Sequence, residues 1–128
     1  MDNALVAADW RACRDQRLPW FTDRRDRDLW RLSVPQTAPV LDLPELPVIE
    51  WHGGQRWVSG EPGDAGRLRE AASRAGGHAT LFAPASGRPH ATGRFAALAA
   101  PLDRIHRELK RQFDPAGILN RGRMYADF

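Results

Sequence analysis

Val48-Ile49-Glu50-Trp51-His52-Gly53-Gly54-Gln55-Arg56-Trp57-Val58-Ser59 reads as a β-hairpin, because two adjacent glycines between apolar-polar alternations supply the positive φ angles of a tight primed turn. With Gly53 and Gly54 as the loop, His52 faces Gln55, Trp51 faces Arg56, Glu50 faces Trp57 and Ile49 faces Val58. Alternation then puts Ile49, Trp51 and Val58 on one side, and Glu50, His52, Gln55, Trp57 and Ser59 on the other. A sheet with one apolar and one polar face is therefore expected.

Upstream, residues 28–34 predict a strand, with Trp30, Leu32 and Val34 alternating with Arg31 and Ser33, and Pro35 ends it. From Pro35 to Pro47 four prolines (Pro35, Pro39, Pro44, Pro47) forbid both helix and ladder, so an extended surface loop is expected there. Residues 3–17 predict a helix with Val6, Trp10 and Cys13 on one stripe, stopped at Leu18-Pro19.

Downstream, 64–75 predicts a helix with Leu68, Ala71, Ala72 and Ala75 facing inward and Gly76-Gly77 as its stop. His78 to Phe82 predicts a short strand with Ala79 and Leu81 inward, followed by a loose loop from Pro84 to Gly93. Phe95, Leu98, Leu102, Ile105, Leu109 and Phe113 recur at spacings of three and four, the clearest helical stripe of the chain. Pro101 fits either the first turn of that helix or a kink near its start, and Asp114-Pro115 ends it. The order predicts an α+β fold, an antiparallel sheet of about four strands with helices packed on one face, of ferredoxin-like character. Trp30, Leu32, Ile49, Trp51, Val58 and Leu81 are expected to lie beneath Leu68, Leu102, Ile105 and Leu109.

The 128 residues, 42% hydrophobic and 27% charged, suit one domain over 1–128 with a core that folds without staples. The single cysteine, Cys13, excludes an intrachain disulfide, suits a reducing compartment and is expected to be a buried structural thiol, since no acid-base partner adjoins it. No apolar run reaches the length of a membrane span and the first residues lack the centre of a signal peptide, so a soluble cytoplasmic chain is expected. The formal net charge of +3 comes mostly from arginines interleaved with acids, which favours a solvated surface over a nucleic-acid track, and no nucleic-acid partner is expected.

Neither a G-x-G-x-x-G nor a G-x-x-x-x-G-K occurs, so no dinucleotide pyrophosphate loop is expected in this chain. His52, His78, His90 and His106 are scattered without ligand spacing, and no metal site is expected. What remains is the polar sheet face: Arg31, Ser33, Glu50, His52, Gln55, Trp57, His78 and Thr80. It is either a plain solvated face or one that meets a second domain, a subunit or a ligand; Trp57 leans toward the latter, because an open indole is costly. Arg31 could hold a carboxylate there, its planar fork matching two oxygens.

Several separated blocks carry a resemblance to a known family. They are Leu29-Trp30-Arg31-Leu32-Ser33-Val34-Pro35, Leu41-Asp42-Leu43-Pro44, Ile49 to Trp57, Ala75-Gly76-Gly77-His78-Ala79-Thr80-Leu81-Phe82, and Ala99-Ala100-Pro101-Leu102 through Met124-Tyr125. The last contains Phe113-Asp114-Pro115-Ala116-Gly117-Ile118-Leu119-Asn120-Arg121-Gly122-Arg123-Met124-Tyr125, which resembles the closing signature of FAD-linked oxidases of the vanillyl-alcohol oxidase type. Taken together the blocks resemble the C-terminal part of the glycolate oxidase FAD-binding subunit, the E subunit.

The resemblance implies a cap or substrate-type domain plus a returning tail, with the N-terminal FAD-binding domain absent from this stretch. It implies FAD in the full-length parent, and as partners the FAD-binding half, a second flavoprotein subunit and an iron-sulfur subunit, at the periphery of the inner membrane. The reaction implied is oxidation of glycolate to glyoxylate, with no turnover expected of this chain alone. Asn120 and Arg123 are carried over as cofactor-side residues; Arg31 and His78 are added, by their sheet face, as substrate-side residues. Arg121 stands where the family has proline. The block around His78 also lacks the Gly-Glu-His-Gly run of the sister catalytic subunit, which leaves open whether the E-type subunit performs or assists the oxidation. A stand-alone interaction module, dimerising or binding a protein through the polar face, is the alternative.

Overall fold

The computed structural model describes residues 3–24, 26–85 and 93–128. Four strands, β1 (Asp28–Ser33), β2 (Val48–Glu50), β3 (Gln55–Gly60) and β4 (His78–Ala83), form one antiparallel sheet in the order β2-β3-β1-β4. The helices are α1 (Asn3–Arg14), α2 (Pro19–Thr22), α3 (Ala65–Arg74) and α4 (Ala100–Phe113). The expected α+β class and four-stranded antiparallel sheet are thus present. Between β3 and β4 the chain passes through α3 and leaves β1 in the middle, the split βαβ unit of a ferredoxin-like sheet. The proline-rich segment takes the place of the other crossover.

The core lies between α3 and one sheet face. Trp30, Leu32 and Val34 from β1 and its extension, Val58 from β3, and Ala79 and Leu81 from β4 meet Ala65, Leu68 and Ala72 of α3. Each large side chain so removed from water contributes about 1.5–3 kcal/mol. Gly76, at φ +78, ends α3 in the left-handed conformation that glycine adopts without strain. Gly77 then passes so close to β1 that a Cβ there would sit 2.0 Å from the Ser33 carbonyl oxygen. The glycine pair thus both stops the helix and sets β4 against β1.

The proline-rich segment covers the end of this core. Ala38, Leu41 and Leu43 pack on it, and the buried Arg56 donates to the carbonyls of Pro39 (2.8 Å) and Ala38 (2.9 Å). Arg27 pairs with Glu45 and Arg67 with Asp42, fastening the loop to the start of β1 and to α3.

Several expectations are corrected. The Gly53-Gly54 turn is not a two-residue loop: Glu50 pairs with Gln55 and Ile49 with Arg56, leaving Trp51 to Gly54 as the connection. The Gly54 carbonyl is claimed by the Val34 N–H at 2.9 Å, which draws Gly54 toward β1 rather than into a tight turn. Because the register slips by two residues, the faces keep their assignment. Trp51 and Ile49 nevertheless leave the core: β2 is the edge strand, beyond the cover of α3, and Trp51 stands 73% exposed at φ +53.

Leu102, Ile105 and Leu109 do not join the core either, since no residue of α4 is buried. Cys13 is half-exposed rather than buried, because α1 contributes no buried residue and lies outside both clusters. The first helix ends at Arg14 instead of residue 17, with Gln16 at φ +54 in the turn that leads to α2.

Finally, Trp57 does not mark an open face. The chain covers it with its own α2, so that Phe21, Leu29 and Trp57 form a second cluster flanked by Leu18, Trp20, Val48 and Ala83. Phe21 and Phe82 meet the indole edge-on, at ring-centroid distances of 5.8 and 5.0 Å. Only 4% of Trp57 remains exposed. The expected loop of residues 84–93 falls largely outside the described residues.

Candidate functional site

With the β3 half of the polar face covered, what stays accessible is the β4 half. Register places Arg31 opposite Thr80 and Ser33 opposite His78, all on the face away from α3. A cleft of about 630 Å³ opens along the outer edge of β4. Arg31, His78 and Thr80 enter it from the sheet, Arg69 and Ser73 from α3, His106 from α4 and Tyr125 from the tail.

Its electrostatics are one-sided. Two guanidinium groups and two imidazoles line the cleft, and among the described residues no aspartate or glutamate does. Arg31 is half-buried, its guanidinium carbon 6.0 Å above the Phe82 ring, and among the described residues its side chain has no hydrogen-bond or ion-pair partner. Arg69 lies 5.5 Å over the Trp30 ring and donates through Nη2 to the Gly93 carbonyl, while its buried Nε has no partner among the described residues. Cationic donors left unpaired beside apolar walls (Phe95, Leu98, Leu102) favour a small anion with a short carbon body, such as a carboxylate. The arrangement suits the binding and orienting of such an anion, and no hydrogen bond joins a hydroxyl to an imidazole among its described lining residues.

The tail closes the cleft through packing and one carboxylate. Phe95 meets Tyr125 at 6.1 Å, Tyr125 meets Phe128 at 4.9 Å, and Arg107 stacks 4.5 Å over the Phe128 ring. Asp114, at the end of α4, accepts the N–H groups of Ile118 (3.0 Å) and Leu119 (2.9 Å) and the ammonium of Lys110. Lys110 chiefly, then those N–H groups, holds the Asp114 carboxyl at about 2, well below its ordinary range. This gives the Asp-Pro-x-Gly-Ile-Leu-Asn run its shape. Asp114 ties the turn, and Gly117 and Asn120 take its left-handed positions at φ +61 and +49.

Of the four sequence-derived site residues, Arg31 and His78 are brought together in the cleft. Asn120 and Arg123 are not: they sit in one exposed turn of the tail, joined by the Arg123 N–H to the Asn120 carbonyl at 3.2 Å, and do not line it. Arg121, at the proline position, folds back onto the Gly117 carbonyl. Arg69, His106 and Tyr125 join the cleft unforeseen. Arg69 follows Leu68 on the apolar edge of α3 and His106 follows Ile105, so helical period placed both at a boundary without saying what lay across it.

Among the described residues no group of three or more His, Cys, Asp or Glu side chains is gathered as a metal ion would need. His90 lies outside those residues. No helix among them is long and apolar enough to cross a membrane. As for a flavin, the side chains of Asn120 and Arg123 are exposed and open to a neighbouring group, while the sequence has no G-x-G-x-x-G or G-x-x-x-x-G-K run to hold its pyrophosphate.

Comparison with known proteins gives one firm likeness. Over 118 residues, 92% of its length, the chain is 43% identical to glycolate oxidase subunit GlcE of Escherichia coli (strain K12), and it spans 31% of that protein. No family model and no solved structure matches.

Proposed function

We propose that this chain is the cap-type, C-terminal portion of a glycolate oxidase E-type subunit, and that it helps to oxidise glycolate to glyoxylate within a multisubunit flavoenzyme. The observation that carries the proposal is the 43% identity running through nearly the whole chain to a glycolate oxidase subunit three times as long. The cleft supports it: a pocket that, among the described residues, has no acid in its lining and a half-buried arginine without an ion-pair partner fits the carboxylate of a 2-hydroxy acid. Arg31 grips that carboxylate in bidentate fashion and His78 lies beside it for the hydroxyl end.

FAD belongs to the full-length parent and is held there by a binding half that supplies what this chain lacks. When bound, it supplies the electron acceptor. Residues of this chain bind and orient the acid, and the tail turn carrying Asn120 and Arg123 reaches toward the flavin. A second flavoprotein subunit and an iron-sulfur subunit complete the complex at the inner-membrane periphery.

The test is a chimera in which this chain replaces the matching 118 residues of the E. coli subunit, produced with the other subunits of that enzyme. Glycolate-dependent reduction of a dye is expected to persist. A soluble, assembled chimera without it would overturn the proposal, as would FAD binding and glycolate oxidation by the isolated chain.

A further inference from the structure

Among the described residues, the most strongly amphipathic helix has no buried residue. Along α4, Leu102, Ile105 and Leu109 stand about half exposed and Phe113 is 82% exposed, and the tail adds exposed Ile118, Leu119 and Met124. An isolated helix of 14 residues is marginal in water, and helices in proteins are held chiefly by burying an apolar face. The chain spends a stripe at helical spacing on α4 and, among the described residues, leaves it about half or more open to water.

The polar side of α4 narrows the choice of occupant. Arg107 is held by Asp103 and Asp127, Lys110 by Asp114 and Arg111 by Glu108, which leaves Arg104 as the cation of this group without an acid among the described residues. A helix built for an anionic lipid surface carries excess free cations on its polar face; here they are neutralised in place. A flat apolar stripe with an internally paired rim is the pattern of a surface that packs on protein.

We propose that the α4 stripe, continued through Ile118, Leu119 and Met124, is the docking surface for the polypeptide corresponding to the 69% of the E. coli subunit that this chain does not span. This rests on the proposed function and assigns a place to it. Leu102 and Met124 also line the cleft, so a partner seated on the stripe borders the mouth of the anion pocket. The Trp57 part of the sheet face does not serve as that surface, because α2 already covers it.

Hydrogen exchange of the α4 amides tests this in the isolated chain and in the chimera described above. The expected result is fast exchange in the isolated chain and about 100-fold slower exchange in the chimera. Ile105→Gln with Leu109→Gln is expected to restore the fast rate in the chimera while leaving the thermal unfolding of the isolated chain unchanged. Equal exchange in both proteins, with the chimera still oxidising glycolate, would overturn the docking surface and spare the functional proposal. Slow exchange in a chimera that oxidises nothing would do the reverse. Slow exchange already present in a dimeric isolated chain would make a second copy the occupant and overturn the inference. Sedimentation of the isolated chain with phosphatidylglycerol vesicles, lost on Ile105→Gln, would overturn it in favour of a lipid surface.

Discussion

The indole N–H of Trp57 donates to the Glu50 carboxylate at 2.9 Å across the β2–β3 pair, and the same carboxylate oxygen accepts the Gln55 amide at 2.7 Å. The edge strand is thus fastened by a polar contact over the second cluster rather than by burial of Ile49 or Trp51. Glu50→Ala leaves a buried indole donor without its acceptor and is expected to destabilise the chain by about 1–3 kcal/mol. Trp57→Phe removes the donor itself. In the double variant the two losses are expected to fall short of additivity by about 1 kcal/mol, measured by urea unfolding. Full additivity would mean that the contact contributes nothing.

Gly77 and Gly66 are expected to respond to alanine in opposite directions. At Gly77 a Cβ would lie 2.0 Å from the Ser33 carbonyl oxygen and 2.8 Å from the Val34 Cα, both backbone atoms that cannot swing aside. Gly77→Ala is expected to cost at least about 3 kcal/mol through displacement of β4 from β1. Gly66 lies in α3, and a Cβ there meets nothing within 4 Å, so Gly66→Ala is expected to stabilise by roughly 1 kcal/mol. Thermal unfolding of the two single variants measures both signs.

Asp114 gives the tail its pH dependence. Its carboxyl in the folded chain titrates at about 2, below the ordinary value of 3.8, so its stabilising contribution is complete above about pH 3.8 and is lost as pH falls through about 2. The Ile118 and Leu119 amide resonances are therefore expected to move with a midpoint near 2. In Asp114→Asn that transition is expected to vanish. A midpoint at the ordinary aspartate value would show that Lys110 and the two N–H groups do not hold the carboxylate in solution.

Legibility in the sequence followed the range of the interactions involved. The alternation of Trp30, Leu32, Val58, Ala79 and Leu81, and the Gly76-Gly77 stop, report local geometry, and all appear as expected. The hairpin register is not legible in the local sequence because the competing contact, Val34 N–H to the Gly54 carbonyl, comes from a segment some twenty residues away. The cover over Trp57 was invisible because Pro19-Trp20-Phe21-Thr22 is too short to show a period. The stripe of α4 announced a helix correctly but carried no information about what it packs on. In the cleft, alternation placed Arg31 and His78 on one face, while Arg69 and Tyr125 arrive from a helix and a tail whose approach only the folded chain reveals.

Arg31 decides whether the cleft is a site or only a gap. Its guanidinium has no hydrogen-bond or ion-pair partner to lose among the described residues, so Arg31→Gln is expected to change the unfolding free energy of the isolated chain by no more than about 0.5 kcal/mol. In the chimera, where the pocket would hold the acid, the same substitution removes a charge-assisted contact of about 1.5–3 kcal/mol. The expected effect is a rise of roughly 10- to 100-fold in KM for glycolate with flavin content unchanged. Arg31→Lys keeps the charge but not the fork and is expected to recover only part of the loss. His78→Gln serves as the comparison: lying exposed at the start of β4, it leaves folding intact and is expected to weaken glycolate binding less than Arg31→Gln does. Unchanged KM in both variants would leave the cationic cleft without a role in holding the substrate, whatever the family likeness says of the parent.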